Sequence, residues 1–475
     1  MPPKIFFGRE ELVGRIVDLA DDLIPIALIG VGGIGKTSIA LTILHHDRIK
    51  QRFGDNRLFI RCDRFPASYA HLLSQLSRAF RAGIQNPEDL ASLRPFLSSK
   101  VFLVLDNAES ILDPQGMDAQ KIYAVVEELS RFDNICLCIT SRISTVPPDC
   151  KRFDVPTLSK DAAGDTFYRI YNSGDKSDLV NPILEQLNFH PLSITLLATV
   201  GHQNKWDIGR LTREWERQRG SVLQTEHNNS LAATIELSLT SPIFRKLGPD
   251  ARALISALAF FPQGIDEDNI SQLFPTIPNR TKIFDTSCDL SLTHWSDGFV
   301  VMLTPLRDYL SPEDPDSSLL LCMAKELYFT QMSVDVSPDK SDSWETGWIK
   351  SEDANVEHLL DVFTTINPNS DSVWVACHHF IRHLHLYKPR PTILVSRIEG
   401  LPDDHPSKQQ CLSEVLRMFC SIGYLPESRW LLFRMLELYG EQGDDLQVTR
   451  VLGHLSHGGR RLEVSGKRQQ DLNKC

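Results

Sequence analysis

The chain has 475 residues, too many for one ordinary hydrophobic core, so three or more domains are expected. Its composition is that of a globular protein without low-complexity tracts, and a net charge of −11 argues against nucleic acid as the main partner. No stretch approaches the length of a membrane span, no secretory apolar core opens the chain, and ten cysteines fall without metal-ligand spacing, which points to a reduced, cytoplasmic setting.

The first informative element is the apolar run Ile26–Ile29, a strand that leads into Gly30-Val31-Gly32-Gly33-Ile34-Gly35-Lys36-Thr37. This is the G-x-x-x-x-G-K-[ST] phosphate loop, and Ile39, Ala40, Ile43 and Leu44 continue it as a helix. Strand, glycine loop and helix in that order disfavour the competing interpretation, a glycine turn with an exposed lysine. Gly30, Gly32, Gly33, Ile34, Gly35, Lys36, Thr37 and Ser38 form the expected cradle, whose backbone N–H groups face phosphate oxygens at a helix N-terminus. Lys36 is expected to reach the β- and γ-phosphates, and the Thr37 hydroxyl to hold Mg²⁺.

The alternation continues with a strand at Arg57–Ile60, a helix marked by Tyr69, Leu72, Leu73, Leu76 and Phe80, and the buried strand Val101–Leu105. Ile122, Val125, Val126 and Leu129 mark a further helix, followed by the strand Ile135–Ile139, in which Cys136 and Cys138 share a face and pack. The pattern predicts a parallel sheet with helices on both faces over residues 1–155. Asp106 ends the strand Val101–Leu105, as a magnesium-orienting Walker B aspartate does. Asn107 cannot accept a proton; Glu109 either polarises the attacking water or is simply solvated. Arg142 follows the next strand, where a guanidinium can meet a γ-phosphate and so distinguish ATP from ADP, or lie on the surface.

From about residue 156 helical periodicity takes over. Residues 156–240 form a helical subdomain with a break at Pro191, and 241–312 a domain with a helix over 249–260 stopped by Pro262 and Gly264. Leu290–Thr293 and Phe299–Met302 flank Ser296-Asp297-Gly298, a hairpin signal suggesting a winged helix that packs or autoinhibits rather than binds DNA. Residues 313–405 read as a helical connector, with polar loops at 311–317 and 334–343. Leu412, Val415, Leu416 and Phe419 share a helix face whose pattern returns 36 residues later at Val448, with Leu432, Met435, Leu436 and Tyr439 between. This period predicts partial tetratricopeptide-like repeats over 406–475, with a plain helical bundle as the competing form. The cluster His378, His379, His383 and His385 lacks a third ligand at metal spacing and reads as solvated helix histidines; the basic stretch Arg460–Lys474 reads as a solvated face.

Taken in order, Phe6-Phe7-Gly8-Arg9-Glu10, Gly30–Thr37, Leu105-Asp106-Asn107, Thr140-Ser141-Arg142 and His190-Pro191-Leu192 resemble the STAND-class signalling NTPases of the NB-ARC branch, in the style of fungal proteins with tetratricopeptide tails. The resemblance implies that Gly8 and Arg9 lie near adenine and ribose and that Pro191 lies against the base. It also exposes departures. Phe189 and His190 stand where that family has Gly-Leu, and Met302-Leu303-Thr304 where it has Met-His-Asp, so the histidine that holds ADP in the closed state is replaced by Leu303. Asn107 replaces a second acidic residue, which fits binding with slow hydrolysis. The chain also begins almost at the Gly-Arg-Glu segment and ends inside a repeat, as a short paralogue, a partial gene product or a subunit with a separate effector would.

The expected function is an ATP/ADP-binding switch with Mg²⁺ whose opening permits self-association, and whose helical C-terminal region meets protein partners. The alternative is a scaffold with a structural nucleotide. A constitutive kinase or helicase lacks an acceptor site or second motor motif, and no other hydrolase motif is present.

Overall fold

The computed structural model describes residues 3–64, 69–82, 89–96, 99–112, 118–172, 178–222, 230–333, 351–387, 392, 394–402 and 405–421. In chain order its first elements are α1 (Glu10–Asp21), β1 (Ile26–Ile29), α2 (Lys36–Leu44), α3 (Asp47–Phe53), β2 (Arg57–Arg61), α4 (Tyr69–Ala79), β3 (Val101–Asp106), α5 (Glu109–Leu112), α6 (Ala119–Ser130), β4 (Ile135–Ser141) and β5 (Lys151–Asp154). Then come α7 (Lys160–Tyr171), α8 (Asn181–Gln186), α9 (Pro191–Gln203), α10 (Ile208–Val222), α11 (Ser230–Leu239), α12 (Pro242–Arg245) and α13 (Asp250–Phe260). β6 (Ile265–Asp266), α14 (Ile270–Leu273), α15 (Arg280–Asp289), β7 (His294–Ser296), β8 (Phe299–Val301), α16 (Thr304–Leu310) and α17 (Leu319–Ser333) follow. The chain divides into two compact units. One comprises Met1–Tyr69, Gln75–Gly83 and Leu93–Leu327; the other comprises Ala70–Ser74, Ile84–Ser92 and Tyr328–Cys475.

The first unit is built on a five-stranded parallel sheet of order β2-β3-β4-β1-β5. Every residue of β1, β3 and β4 is buried, as strands covered on both faces require. Cys136 and Cys138 pack in one core with Ile26, Ile39, Phe53 and Phe102. Parallel strands end on one side, so the register that sets Arg61 beside Asp106, and Ile29 beside Ser141, collects their carboxyl ends along a single edge. Ligands of open α/β sheets bind at that edge. The fifth strand escaped the sequence pattern because it is an edge strand: Phe153 alone turns inward among four residues.

Some helices downstream of the sheet are capped by a local side chain. Ser159 and Ser241 accept backbone N–H groups at the starts of α7 and α12. A small antiparallel sheet of order β6-β8-β7 follows α13. Its hairpin departs from the sequence expectation: the first strand is His294–Ser296, not Leu290–Thr293. Leu290 and Leu292 are buried for another reason. They close α15 in a Schellman turn, with Ser291 at φ 58°, Leu292 N–H bonded to Ser287 O and Ser291 N–H to Cys288 O. The hairpin then turns on Asp297 and Gly298, both at positive φ, as a two-residue connection demands.

The second unit contains helices Asp353–Ile366, Asp371–Tyr387, Leu394–Glu399 and Pro406–Ser421. Leu412, Val415 and Leu416 are buried on the last of these, whereas the matching pattern from Leu432 to Leu455 and the basic tail lie outside the described residues, as does the expected loop 334–343. The solvated-histidine expectation fails at His383, which is buried. It falls on the stripe of Val373, Ala376 and Phe380, three or four residues apart, and so faces inward. His385 meets Glu414 at 3.3 Å, and no group of three ligating side chains able to hold a metal occurs among the described residues. No described helix is long and apolar enough to cross a membrane.

Phe102 sits fully buried in β3 with its ring 5.6 Å from that of Phe53. Phe102→Ala is expected to destabilise the first unit by about 3–5 kcal/mol, read as a lower urea midpoint by near-ultraviolet circular dichroism.

Candidate functional site

The loop between β1 and α2 owes its shape to two residues that can adopt positive φ. Gly33 lies at 79° and Gly35, which precedes the first turn of α2, at 102°. The loop is also tied to the sheet on both sides of β1: Gly30 N–H bonds Ser141 O at 3.2 Å, and Val155 N–H bonds Ile29 O at 2.8 Å. Lys36 folds back over the loop, donating to the carbonyls of Gly30 at 2.6 Å and Val31 at 3.0 Å. It is 6% exposed, and burial pulls its ammonium below the ordinary lysine value against the opposing pull of Glu109 and Asp106. A buried ammonium seated on carbonyls at a helix N-terminus is a cation set to receive an anion.

Asp106 is the centre of the edge. Its Oδ1 accepts the Thr37 hydroxyl at 2.8 Å and the Thr140 hydroxyl at 2.7 Å, joining the first turn of α2 to the ends of β3 and β4. Burial raises the Asp106 carboxyl above its ordinary value, and the two hydroxyls partly offset this. The next residue, Asn107, adopts φ 56°, takes its backbone bond from N–H to Thr140 Oγ1, and donates its side-chain amide to Asp63 Oδ2 at 3.0 Å. Asp63 pairs with Arg61 at 3.1 Å. Burial pushes the Asp63 carboxyl up, and Arg61, Asn107 and Arg307 more than reverse it, leaving it low.

Glu109 and Arg142 come together. The Arg142 Nε lies 3.1 Å from Glu109 Oε1, and the Arg142 backbone N–H bonds Glu109 Oε2. Glu109 is therefore not a freely solvated carboxylate: its oxygens are held by Arg142. The same guanidinium reaches Asp308 Oδ2 on α16 at 2.6 Å. Two further contacts bring α16 to the edge: Thr304 Oγ1 lies 3.5 Å from Asp63, and a Cβ on Gly32 would stand 2.7 Å from Pro305 Cγ.

Most of the remaining sequence-selected residues lie around one cavity of about 1190 Å³, lined by residues 32–38 of the phosphate loop, Asp106, Asn107 and Arg142, by Ile5, Phe6 and Phe7, by Leu158 and Ile170, and by Pro191, Leu192 and Leu303; Gly8 is not in its lining. Arg9 also lines it; its guanidinium donates to Pro156 O and Thr157 O, and burial lowers its pKa. Gly8 packs where a Cβ would meet that of Ala162 at 2.4 Å. Ile34 and Ser38 line the cavity as well. Arg61, Thr140, Asp63, Asp308 and His190 were not singled out from sequence as site residues. Arg61 follows directly on the strand Arg57–Ile60 and Thr140 opens the Thr-Ser-Arg segment, which are usable signals; the partnerships of Asp63 and Asp308 depend on tertiary placement that no local pattern carries.

No protein-family model matches the chain. A stretch of 44 residues is 46% identical to disease resistance RPP8-like protein 3 of Arabidopsis thaliana, covering 9% of this chain and 5% of that protein, so the chain matches only a small part of that relative. Among solved structures, a STAND signal transduction ATPase with a tetratricopeptide repeat sensor from Pyrococcus horikoshii aligns over 98% of this chain and 82% of its own, at 12% identity and TM-score 0.44. A Walker-type ATPase of Pyrococcus abyssi aligns over 65% of this chain and 98% of its own, at 13% identity and TM-score 0.35.

Because burial raises the Asp106 carboxyl, the folded chain binds a proton there more readily than the unfolded chain. The stability contributed at this position therefore falls as pH climbs from the ordinary carboxylate range through the raised value. Asp106→Asn keeps an acceptor for both hydroxyls and removes the buried charge. It is expected to stabilise the nucleotide-free chain by on the order of 1 kcal/mol at pH 7 and to flatten this acid dependence in thermal melts from pH 4 to 7.

Proposed function

We propose that this chain is an ATP/ADP-binding switch that hydrolyses ATP slowly. The observation that carries the proposal is the Thr37–Asp106 contact of 2.8 Å at the mouth of a glycine loop with a buried lysine. Two hard oxygen donors side by side suit Mg²⁺, which takes one or two protein oxygens and completes its shell with phosphate and water. Thr37 and Asp106 would hold that ion, and with it the chain would gain charge neutralisation of a polyphosphate. Lys36 would leave the Gly30 and Val31 carbonyls for phosphate oxygens, Gly8, Arg9 and Pro191 would flank the base and ribose, and Arg142 would turn from Asp308 to a γ-phosphate.

The placement of Glu109 and Asn107 supports slow turnover. Asn107 has no proton-accepting carboxylate, and Glu109 is tied to Arg142, so neither is free to activate water. Moving a closed form from 1:99 to 99:1 open takes about 5.5 kcal/mol of differential binding. Charge-assisted bonds to a γ-phosphate are worth about 1.5–3 kcal/mol each, so two at the upper end of that range, or four at the lower, are enough. We assign the phosphate-loop domain to 1–155, the helical subdomain to 156–240, a winged-helix domain to 241–312, a connector to 313–405 and a tetratricopeptide-like end to 406–475. The helical end would bind protein partners in the cytoplasm, and the open form would self-associate. A scaffold with a structural nucleotide is the second reading, favoured by Leu303 in place of a latch histidine and by Asn107, which cannot accept a proton.

Lys36→Ala is expected to weaken ADP and ATP binding by at least about a hundredfold in titration calorimetry with magnesium. Arg142→Ala should leave ADP affinity within about twofold and weaken ATP by about tenfold or more; equal ratios in both proteins would sink the γ-phosphate role. Size-exclusion mass that stays the same with ADP and with a non-hydrolysable ATP analogue would favour the scaffold, and a nucleotide-dependent rise in mass the switch.

A further inference from the structure

His190 precedes α9, and its imidazole makes two contacts in opposite directions. Nδ1 receives the Ser193 backbone N–H at 3.4 Å, capping the first turn of α9, and lies 3.1 Å from Ser193 Oγ. Nε2 lies 3.0 Å from the Gly32 carbonyl in the middle of the phosphate loop. A carbonyl can only accept, so Nε2 carries the proton and Nδ1 the lone pair. The ring is then the neutral tautomer, and burial, with Lys36 nearby, holds its pKa below the ordinary histidine value. The approach is close: a Cβ on Gly33 would stand 2.9 Å from His190 Cε1 and 2.8 Å from Leu192 Cβ.

The 32–33 peptide is trans, so its carbonyl and its N–H point to opposite sides. Fixing the Gly32 carbonyl on His190 turns the Gly33 N–H the other way. Gly32 and Gly33 both line the cavity. We propose that His190 is a positioning residue for phosphate binding, which orients the Gly32–Gly33 peptide so that the loop presents its N–H groups to an anion before one arrives. The consequence for affinity rests on the nucleotide-binding function proposed above; the orientation of the loop does not. Preorganised backbone donors cost no rearrangement on binding, which is why an orienting contact outside the ligand shell affects affinity.

Two substitutions separate the two jobs of the ring. Asparagine places a polar atom where Nδ1 sits and is among the best capping residues, but it falls short of Gly32. Glutamine places an amide N–H where Nε2 sits, and loses the cap. His190→Asn is therefore expected to keep the melting temperature of the nucleotide-free chain, speed amide exchange of residues 30–36 severalfold by hydrogen–deuterium mass spectrometry, and weaken ADP binding about tenfold. His190→Gln should lower the melting temperature yet keep loop exchange and ADP affinity within about threefold of the unsubstituted chain. If loop exchange in His190→Asn matches the unsubstituted chain, or if both variants lose affinity in step with their melting temperatures, the positioning role is overturned. If the unsubstituted chain binds no nucleotide while His190→Asn still loosens the loop, the nucleotide-binding function fails and the orienting role of His190 stands.

Discussion

One buried carboxylate governs the geometry of this site. Asp106 is 1% exposed at the end of a central strand, and a carboxylate in that position is costly unless hydrogen bonds replace the water it loses. The chain supplies two hydroxyls to the same oxygen: Thr37 from the first turn of α2 and Thr140 from the neighbouring strand. That shared acceptor fixes the helix after the glycine loop against the sheet. The strand order adds to it: β4 lies between β1 and β3, so the loop and the aspartate face each other across Thr140 and Ser141 rather than along adjacent strands. In the proposed function, a cation that took over the Thr37 hydroxyl would relieve this carboxylate, which is how the fold's internal electrostatics would meet magnesium.

The second constraint is steric and acts on the loop from two later segments. Pro305 approaches Gly32, while Leu192 and His190 approach Gly33, each so closely that a Cβ would collide. Arg142 adds charge to the same junction by pairing with Glu109 beside it and Asp308 on α16. A guanidinium satisfied by two carboxylates has to give up one of them to meet a phosphate. In the proposed switch, the contact between the sheet edge and α16 therefore competes with the triphosphate for one side chain. In that proposal it would supply a closed-state restraint at a place where Leu303, which has no imidazole, could not.

The sheet and loop were legible because buried parallel strands and phosphate loops leave dense local signals. Val101–Asp106 and Ile135–Ser141 are unbroken apolar runs, and Gly33, Gly35, Lys36 and Thr37 are demanded within eight residues by one geometry. Three things were not legible. The strand Lys151–Asp154 shows only one inward residue because it lies at an edge. The hairpin began four residues late because Leu290 and Leu292 serve a helix end, and an apolar pair two residues apart has the period of a strand in either role. His383 looked polar in isolation, and only its spacing from Phe380 turned it inward. Within the site, the motif residues Lys36, Thr37, Asp106 and Arg142 were found, whereas their neighbours Thr140 and His190 were passed over although they adjoin a motif, and partners supplied from far away, such as Asp308 for Arg142 across 166 positions, left no local signal.

The central claim is that the amides between β1 and α2, with Lys36, hold an adenine nucleotide. It is tested most directly by denaturing the purified chain and identifying what it releases by ion-exchange chromatography, with magnesium-containing titrations on any protein recovered empty. Near-stoichiometric ADP or ATP, or micromolar or tighter uptake by the empty chain, is the predicted result. A folded chain that releases no nucleotide and takes up none with magnesium present would contradict the account.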